Sequence, residues 1–170
     1  MEQKLTPARV ALKWGAICAL ASIILSTVIN MTGMWKTTGF SMLAFLPLII
    51  FMVMAMKEFK TSNEDFMTFG EGFGLGMLLT AVSGVISSLW GILYTKFIDT
   101  TFMNQMKDFQ IDNFEESGMG EEQIDAAMQM TEKFSSAPMM FVFGLLGTLF
   151  FGLIITLIVS AIMKKNKPVF

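Results

Sequence analysis

Apolar residues recur in four long runs that are separated by shorter polar or charged segments. The runs cover about residues 14–34, 40–56, 73–94 and 139–163. A helix needs about 17 to 25 largely apolar residues to cross a bilayer core roughly 30 Å thick. Strands are disfavoured, because the alternating pattern of a membrane barrel is absent and open strands would leave backbone groups unpaired in lipid. The pattern predicts four membrane-spanning helices.

The longest polar segment, residues 96–138, lies between the third and fourth predicted spans. Its acidic residues outnumber its lysines by nine to three. Apolar residues recur at helical spacing on both sides of a break at residues 117–120. We therefore expect a helical hairpin that lies on the bundle or on the membrane surface. The predicted fold class is all-α. It is a single integral membrane domain over residues 1–170, a four-helix bundle with an extracytoplasmic helical hairpin between helices 3 and 4.

Lysine and arginine predict the orientation, since cytoplasmic segments of membrane proteins are enriched in them. Eight lie in the two terminal segments and the second connection, against four in the remaining connections. The eight are Lys4, Arg9, Lys13, Lys57, Lys60, Lys164, Lys165 and Lys167. Both termini are therefore expected in the cytoplasm. The first run is expected to stay as a helix, because it is longer than the 7 to 15 apolar residues of a cleavable signal peptide.

The composition of the chain limits the classes of function that it can have. Hydrophobic residues make up 54% of the 170 residues and charged residues only 15%. The net charge of −2 offers no basic field to hold nucleic acid. Histidine is absent and Cys18 is the only cysteine, so the chain has no Ser–His or Cys–His pair and no zinc cluster. We predict no catalytic residue, no metal site and no cofactor, and therefore no enzyme.

Small residues recur at every fourth position in the last two predicted spans. In the third they are Gly72, Gly76, Thr80, Gly84 and Ser88, and in the fourth Gly144, Thr148, Gly152, Thr156 and Ser160. Positions four apart share one helix face, and small side chains there let two helices approach closely within a membrane. The pattern favours packing of the third span on the fourth. The alternative is a dimer face between two copies of the chain.

Three further residues are candidates for a functional or structural role. Glu71 lies at the entry of the third span, where it suits the positive end of the helix dipole and pairing with Lys57, Lys60 or Lys13. Asn30 is a polar residue inside the first span, expected to bond a neighbouring helix or, as the alternative, a ligand. Pro47 lies inside the second predicted span and is expected to kink it or to free a backbone carbonyl.

Four segments carry a resemblance to a known family. They are Phe69-Gly-Glu-Gly-Phe73, Tyr94-Thr-Lys-Phe-Ile-Asp99, Met119-Gly-Glu-Glu-Gln-Ile124, and the apolar run Gly144–Ser160 that precedes Lys164 and Lys165. With them the chain resembles a family of small uncharacterised bacterial multi-pass membrane proteins, described as a domain of unknown function. The resemblance implies a bacterial inner-membrane location, a four-helix architecture and a periplasmic acidic loop. It implies no active site.

These observations lead to one functional expectation and one alternative. We expect a non-enzymatic interaction or accessory subunit that contacts the lipid bilayer and either a membrane-protein partner or a second copy of itself. Nucleic acid is not expected as a partner. The alternative is a small transporter or channel component, with Glu71, Asn30 and Pro47 near its path.

Overall fold

The computed structural model describes residues 6–37 and 42–167, and this part of the chain contains six α-helices and no strand. The helices are α1 (Pro7–Met31), α2 (Leu46–Ser62), α3 (Phe69–Leu93), α4 (Phe102–Glu116), α5 (Glu121–Phe134) and α6 (Ala137–Met163). The all-helical prediction is confirmed. A π-helical turn, Tyr94–Ile98, extends α3, and a 3₁₀ turn, Met42–Phe45, precedes α2.

Three of these helices are long and apolar enough to cross a membrane. They cover Pro7–Met31, Phe69–Ile98 and Ala137–Met163, with lengths of 25, 30 and 27 residues and mean hydropathies of 1.9, 1.7 and 2.6. Their outward faces expose large apolar side chains, including Ile24 at 66% and Ile162 at 76%. Such faces suit contact with lipid, because a continuous apolar surface of this kind is unfavourable in contact with water.

The second predicted span differs from the helix that forms. The prediction begins at Phe40, outside the described residues, whereas α2 begins at Leu46 and continues to Ser62. With 17 residues and charged side chains in its last turns, α2 is not among the three candidate spans. Pro47 was expected to kink the span, and this expectation is wrong. Pro47 lies in the first helical turn, where its missing N–H group would have no partner in any case.

Two sets of contacts place both ends of the described chain at the same end of the bundle. Near the start of α1, Lys13 Nζ lies 2.7 Å from a carboxylate oxygen of Glu58, near the end of α2. Beyond α6, Lys165 and Met67 exchange two backbone hydrogen bonds of 2.8 and 2.9 Å. Met67 belongs to the link between α2 and α3, residues 63–68. We call this the terminal end and the opposite one, near Trp35, the hairpin end.

The core fills the half of the bundle nearer the terminal end. Helix α3 packs along α1 on one side and along α6 on the other, and α2 lies against all three. Met52 and Met56 of α2 meet Leu75 and Leu79 of α3 in this core, and all four are fully buried. Dense packing of this kind leaves little room for a continuous solute path through this half of the bundle.

Helices α3 and α6 meet in a seam in which every glycine faces a hydroxyl residue. From the terminal end to the hairpin end, the opposed pairs are Gly72 with Ser160, Gly76 with Thr156, Gly152 with Thr80, Gly84 with Thr148, and Gly144 with Ser88. A Cβ atom added to Gly76 would lie 2.6 Å from Thr156 Cγ2. The two backbones therefore approach closely in antiparallel directions, as small residues allow between membrane helices.

Helices α4 and α5 form the polar segment between α3 and α6. A 2.7 Å ion pair between Lys107 and Glu132 joins them. The ring of Trp35, just beyond α1, packs edge-on against Phe102 and Phe109 of α4, each with a centroid separation of 5.4 Å. Phe134, the last residue of α5, makes a similar contact with Phe143 of α6. These aromatic contacts attach the two polar helices to the hairpin end.

Candidate functional site

A cavity of about 400 Å³ lies toward the hairpin end, between α1, α3 and α6. Residues Phe45 and Leu48, around the start of α2, form part of its wall. Trp90, Phe102 and Met140 supply further apolar surface. The size falls within the range of small-molecule sites, about 300 to 1,000 Å³.

Polar side chains line the cavity from two helix faces. Ser22, Ser26 and Asn30 follow each other at four-residue spacing on α1, and Ser83 and Ser87 do so on α3. Residues four apart lie on one face of a helix, which is why each set points into the same space. Among the described residues that line the cavity, none is Asp, Glu, Lys or Arg. The cavity is therefore polar but uncharged.

Some of these polar groups are already satisfied by the protein. Ser26 donates to the carbonyl of Ile23 and Ser83 to that of Thr80, both at 3.1 Å. Such back-bonding within a helix uses the hydroxyl proton locally.

Three other polar groups at the cavity have no hydrogen-bond partner within residues 6–37 and 42–167. They are the side-chain amide of Asn30, the hydroxyl of Ser87 and the phenol of Tyr94. Tyr94 is only 2% exposed. Asn30 and Ser87 are half-buried. An unpaired buried polar group such as the Tyr94 hydroxyl is costly, and in native structures it calls for an explanation such as a bound molecule. The hydrogen bond expected from Asn30 to a neighbouring helix does not form among the described residues.

Glu71 lies away from this cavity and bonds to Thr68 rather than to a lysine. Its carboxylate accepts hydrogen bonds of 2.8 Å from both the backbone N–H and the hydroxyl of Thr68, which caps α3 in return. This capping box satisfies backbone donors at the helix start. Among the three lysines predicted as partners, Lys13 instead pairs with Glu58.

Glu58 is an acidic residue that sequence reasoning missed. Besides Lys13, it accepts a 2.7 Å hydrogen bond from the indole N–H of Trp14. The hydrogen bond from Lys13 lowers the pKa of Glu58, and partial burial opposes that effect. The predicted span ended at Met56, so Glu58 was assigned to a connection. A helical reading of residues 57–62 would have placed it on the face toward α1.

The predicted glycine positions lie in the α3–α6 seam and not at the cavity's polar groups. Gly72, Gly76, Gly84, Gly144 and Gly152 all face hydroxyl residues across the seam. The unpredicted pair Ser83 and Ser87 lies one position before Gly84 and Ser88, which turns it about 100° around the helix, toward α1 and the cavity. The four-residue spacing of these serines was the available signal.

A second, apolar groove of about 520 Å³ lies between α4, α5 and the start of α6. Its lining includes Met103, Met106, Met130 and Met140, together with Phe143. Methionine is frequent on adaptable apolar surfaces. Within the described ranges, no three His, Cys, Asp or Glu side chains lie close enough together to hold a metal ion.

The comparison with protein families supports the resemblance. A family model described as a protein of unknown function (DUF4199) matches residues 13–165. The chain belongs to this family. No curated protein and no solved structure matches the chain. The match covers α1 from Lys13 onward, α2, α3, the α4–α5 segment and α6, so the cavity, the seam and the groove all lie inside the family's domain.

Proposed function

We propose that this DUF4199 protein is a multi-pass protein of the bacterial inner membrane that acts as a non-enzymatic interaction or accessory subunit. Three apolar helices of sufficient length support the membrane location. The contacts of the terminal end support a fourth crossing. The chain must return between α1 and α3, because α3 begins at the same end of the bundle as α1, and α2 is the segment that makes this return.

The distribution of basic residues supports cytoplasmic termini. Lys13, Lys57, Lys60 and Lys165 all lie on segments that meet at the terminal end. Basic residues are retained on the cytoplasmic side of bacterial membranes. The hairpin end, with α4 and α5, then faces the periplasm.

The partner surface that we propose is the exposed acidic face of α4 and α5. Its carboxylates are Asp108, Asp112, Glu115, Glu116, Glu121, Glu122 and Asp125, all of which are exposed. The other surface considered, the small-residue helix face, is already used within the chain by the α3–α6 seam. A basic segment of a membrane-protein partner complements this acidic face, since charge complementarity directs association and selects partners.

Photo-crosslinking in native membranes tests this proposal. A photoreactive residue at Ser117, beside the acidic face, should give one discrete adduct. The charge reversals Asp112→Lys and Glu116→Lys should remove that adduct, whereas Lys60→Glu at the terminal end should leave it. An adduct of twice the chain mass would identify a second copy as the partner. Absence of any adduct, or an adduct that still forms in the two charge-reversal variants, would contradict the proposed surface.

The alternative proposal, a small transporter, is favoured by one observation, the uncharged polar cavity. The buried core around Met52 and Leu75 closes the bundle between this cavity and the terminal end. A transporter would therefore have to repack that core during each cycle. Solute uptake into liposomes that carry the protein, lost on Asn30→Leu, would support this alternative, and no uptake across a broad solute panel would exclude it.

A further inference from the structure

We propose that the cavity near the hairpin end binds an uncharged, largely apolar molecule whose carbonyl or hydroxyl oxygens accept hydrogen bonds. The site would lie within the membrane domain and does not depend on the protein partner proposed above. Three observations carry this inference: the unpaired polar groups, the apolar walls and the absence of charge from the lining.

The unpaired groups define the hydrogen bonding of the ligand. The phenol of Tyr94, the hydroxyl of Ser87 and the amide of Asn30 all contain N–H or O–H donors without a protein acceptor among the described residues. They come from three separate elements: the π-helical turn after α3, α3 itself and α1. A ligand oxygen in the cavity would accept from them, and at Tyr94, which is buried whereas Asn30 and Ser87 are half-buried, it would remove the cost of leaving a buried donor unpaired.

The apolar walls of the cavity indicate the chemistry of the rest of the ligand. Aromatic rings of Phe45, Trp90 and Phe102 line the cavity, and Trp90 is held in place by a 3.2 Å hydrogen bond from its indole N–H to Thr27. Flat apolar surfaces of this kind favour a ring system. An ionic ligand is disfavoured, because none of the described side chains in the lining carries a charge that could compensate the cost of moving the ligand's charge out of water.

The full chain in lipid nanodiscs provides the test, with 2,3-dimethyl-1,4-naphthoquinone as the probe. This probe is a neutral ring with two carbonyl oxygens, and its substituted ring cannot add to the thiol of Cys18. Titration calorimetry, with protein-free nanodiscs as the blank, should show saturable binding. The parent hydrocarbon 2,3-dimethylnaphthalene has the same shape without the oxygens and should bind at least about tenfold more weakly.

Single substitutions locate the binding. Tyr94→Phe, Ser87→Ala and Asn30→Leu should each weaken quinone binding by about three- to tenfold, because each removes one donating group. Ser160→Ala is the matched control, since Ser160 also carries a buried hydroxyl without a partner but lies in the seam outside the cavity. It should bind the quinone like the parent. Thermal unfolding of each variant would show that the bundle is intact.

Two results would overturn the inference. One is the absence of saturable binding to the parent protein beyond the nanodisc blank. The other is equal weakening, or no weakening, by the three cavity substitutions and by Ser160→Ala, which would place the quinone elsewhere. Neither result bears on the acidic face of α4 and α5, so this proposal and the proposed partner surface can fail separately.

Discussion

At the scale of single residues, the α3–α6 seam depends on the placement of glycine opposite hydroxyl side chains. Thr80 and Thr148 fill the space left by the opposed glycines, and their hydroxyls donate to backbone carbonyls of their own helices at 2.8 and 2.9 Å. The hydroxyl is thus satisfied, and the methyl group provides the contact across the seam. In lipid, contacts of this type drive helix association, since burial of apolar surface gives no gain there.

Substitution of the seam glycines should destabilise the bundle. Gly76→Ala and Gly152→Ala each force a methyl group onto an opposed threonine, so we expect a loss of about 1–3 kcal/mol of unfolding free energy. Gly147→Ala on α6 and Gly74→Ala on α3 are matched controls, because a Cβ atom there meets no other atom within 4 Å. Unfolding in detergent measures the difference. Equal effects at all four positions would contradict the close approach of α3 and α6 at the seam glycines.

The Lys13–Glu58 ion pair predicts that the free energy of unfolding depends on pH. The folded pKa of Glu58 is lowered, mainly by the hydrogen bond from Lys13, so the pair stabilises the protein at neutral pH. This stabilisation, about 1 kcal/mol or less, should disappear as the pH falls from about 4.5, the ordinary glutamate value, through the lower folded pKa.

The variant Glu58→Gln isolates that dependence. Its unfolding free energy should lie below that of the parent at pH 7, and the two should converge in acid. Glu132→Gln, which breaks the more exposed pair with Lys107, should have a smaller effect at pH 7. A constant difference between parent and Glu58→Gln from pH 7 to pH 3 would show that the carboxylate charge contributes nothing.

At the scale of the elements, Trp35 provides two of the aromatic contacts that attach α4 to the bundle. Trp35 contacts Phe102 and Phe109, which lie seven residues apart on α4 and hence on one face. The spacing of these phenylalanines predicted an apolar face. The identity of the surface that covers it could not be predicted, because nothing in the sequence pairs Trp35 with a helix more than sixty residues away.

Removal of the Trp35 ring should loosen α4 while it leaves the bundle folded. We expect Trp35→Leu to speed amide hydrogen exchange over residues 102–116 by about tenfold or more, with exchange in α3 and α6 unchanged. Trp14→Leu, at the terminal end, is the control and should not affect α4. Uniform exchange changes across the chain would instead indicate global destabilisation, and no change would show that α4 is held by other contacts.

At the scale of the whole molecule, the apolar runs predicted most of the architecture. The three longest helices lie where their runs predicted them, because an apolar stretch of that length has few other stable forms. The cavity was harder to predict. Its polar groups come from α1, α3 and the turn after α3, and serine spacing on each helix does not specify which helices face each other. The kink expected at Pro47 was also wrong, since a proline can begin a helix as well as kink it.

We propose above all that α2 carries the chain across the membrane between α1 and α3. Cysteine labelling with a membrane-impermeant maleimide, in a Cys18→Ser background, tests it most directly through single cysteines at Thr37, before α2, and Asn63, after it. We predict that in intact cells with a permeable outer membrane Thr37→Cys is labelled and Asn63→Cys is labelled only after the inner membrane is opened. Labelling of both positions from the same side would contradict the four-crossing account.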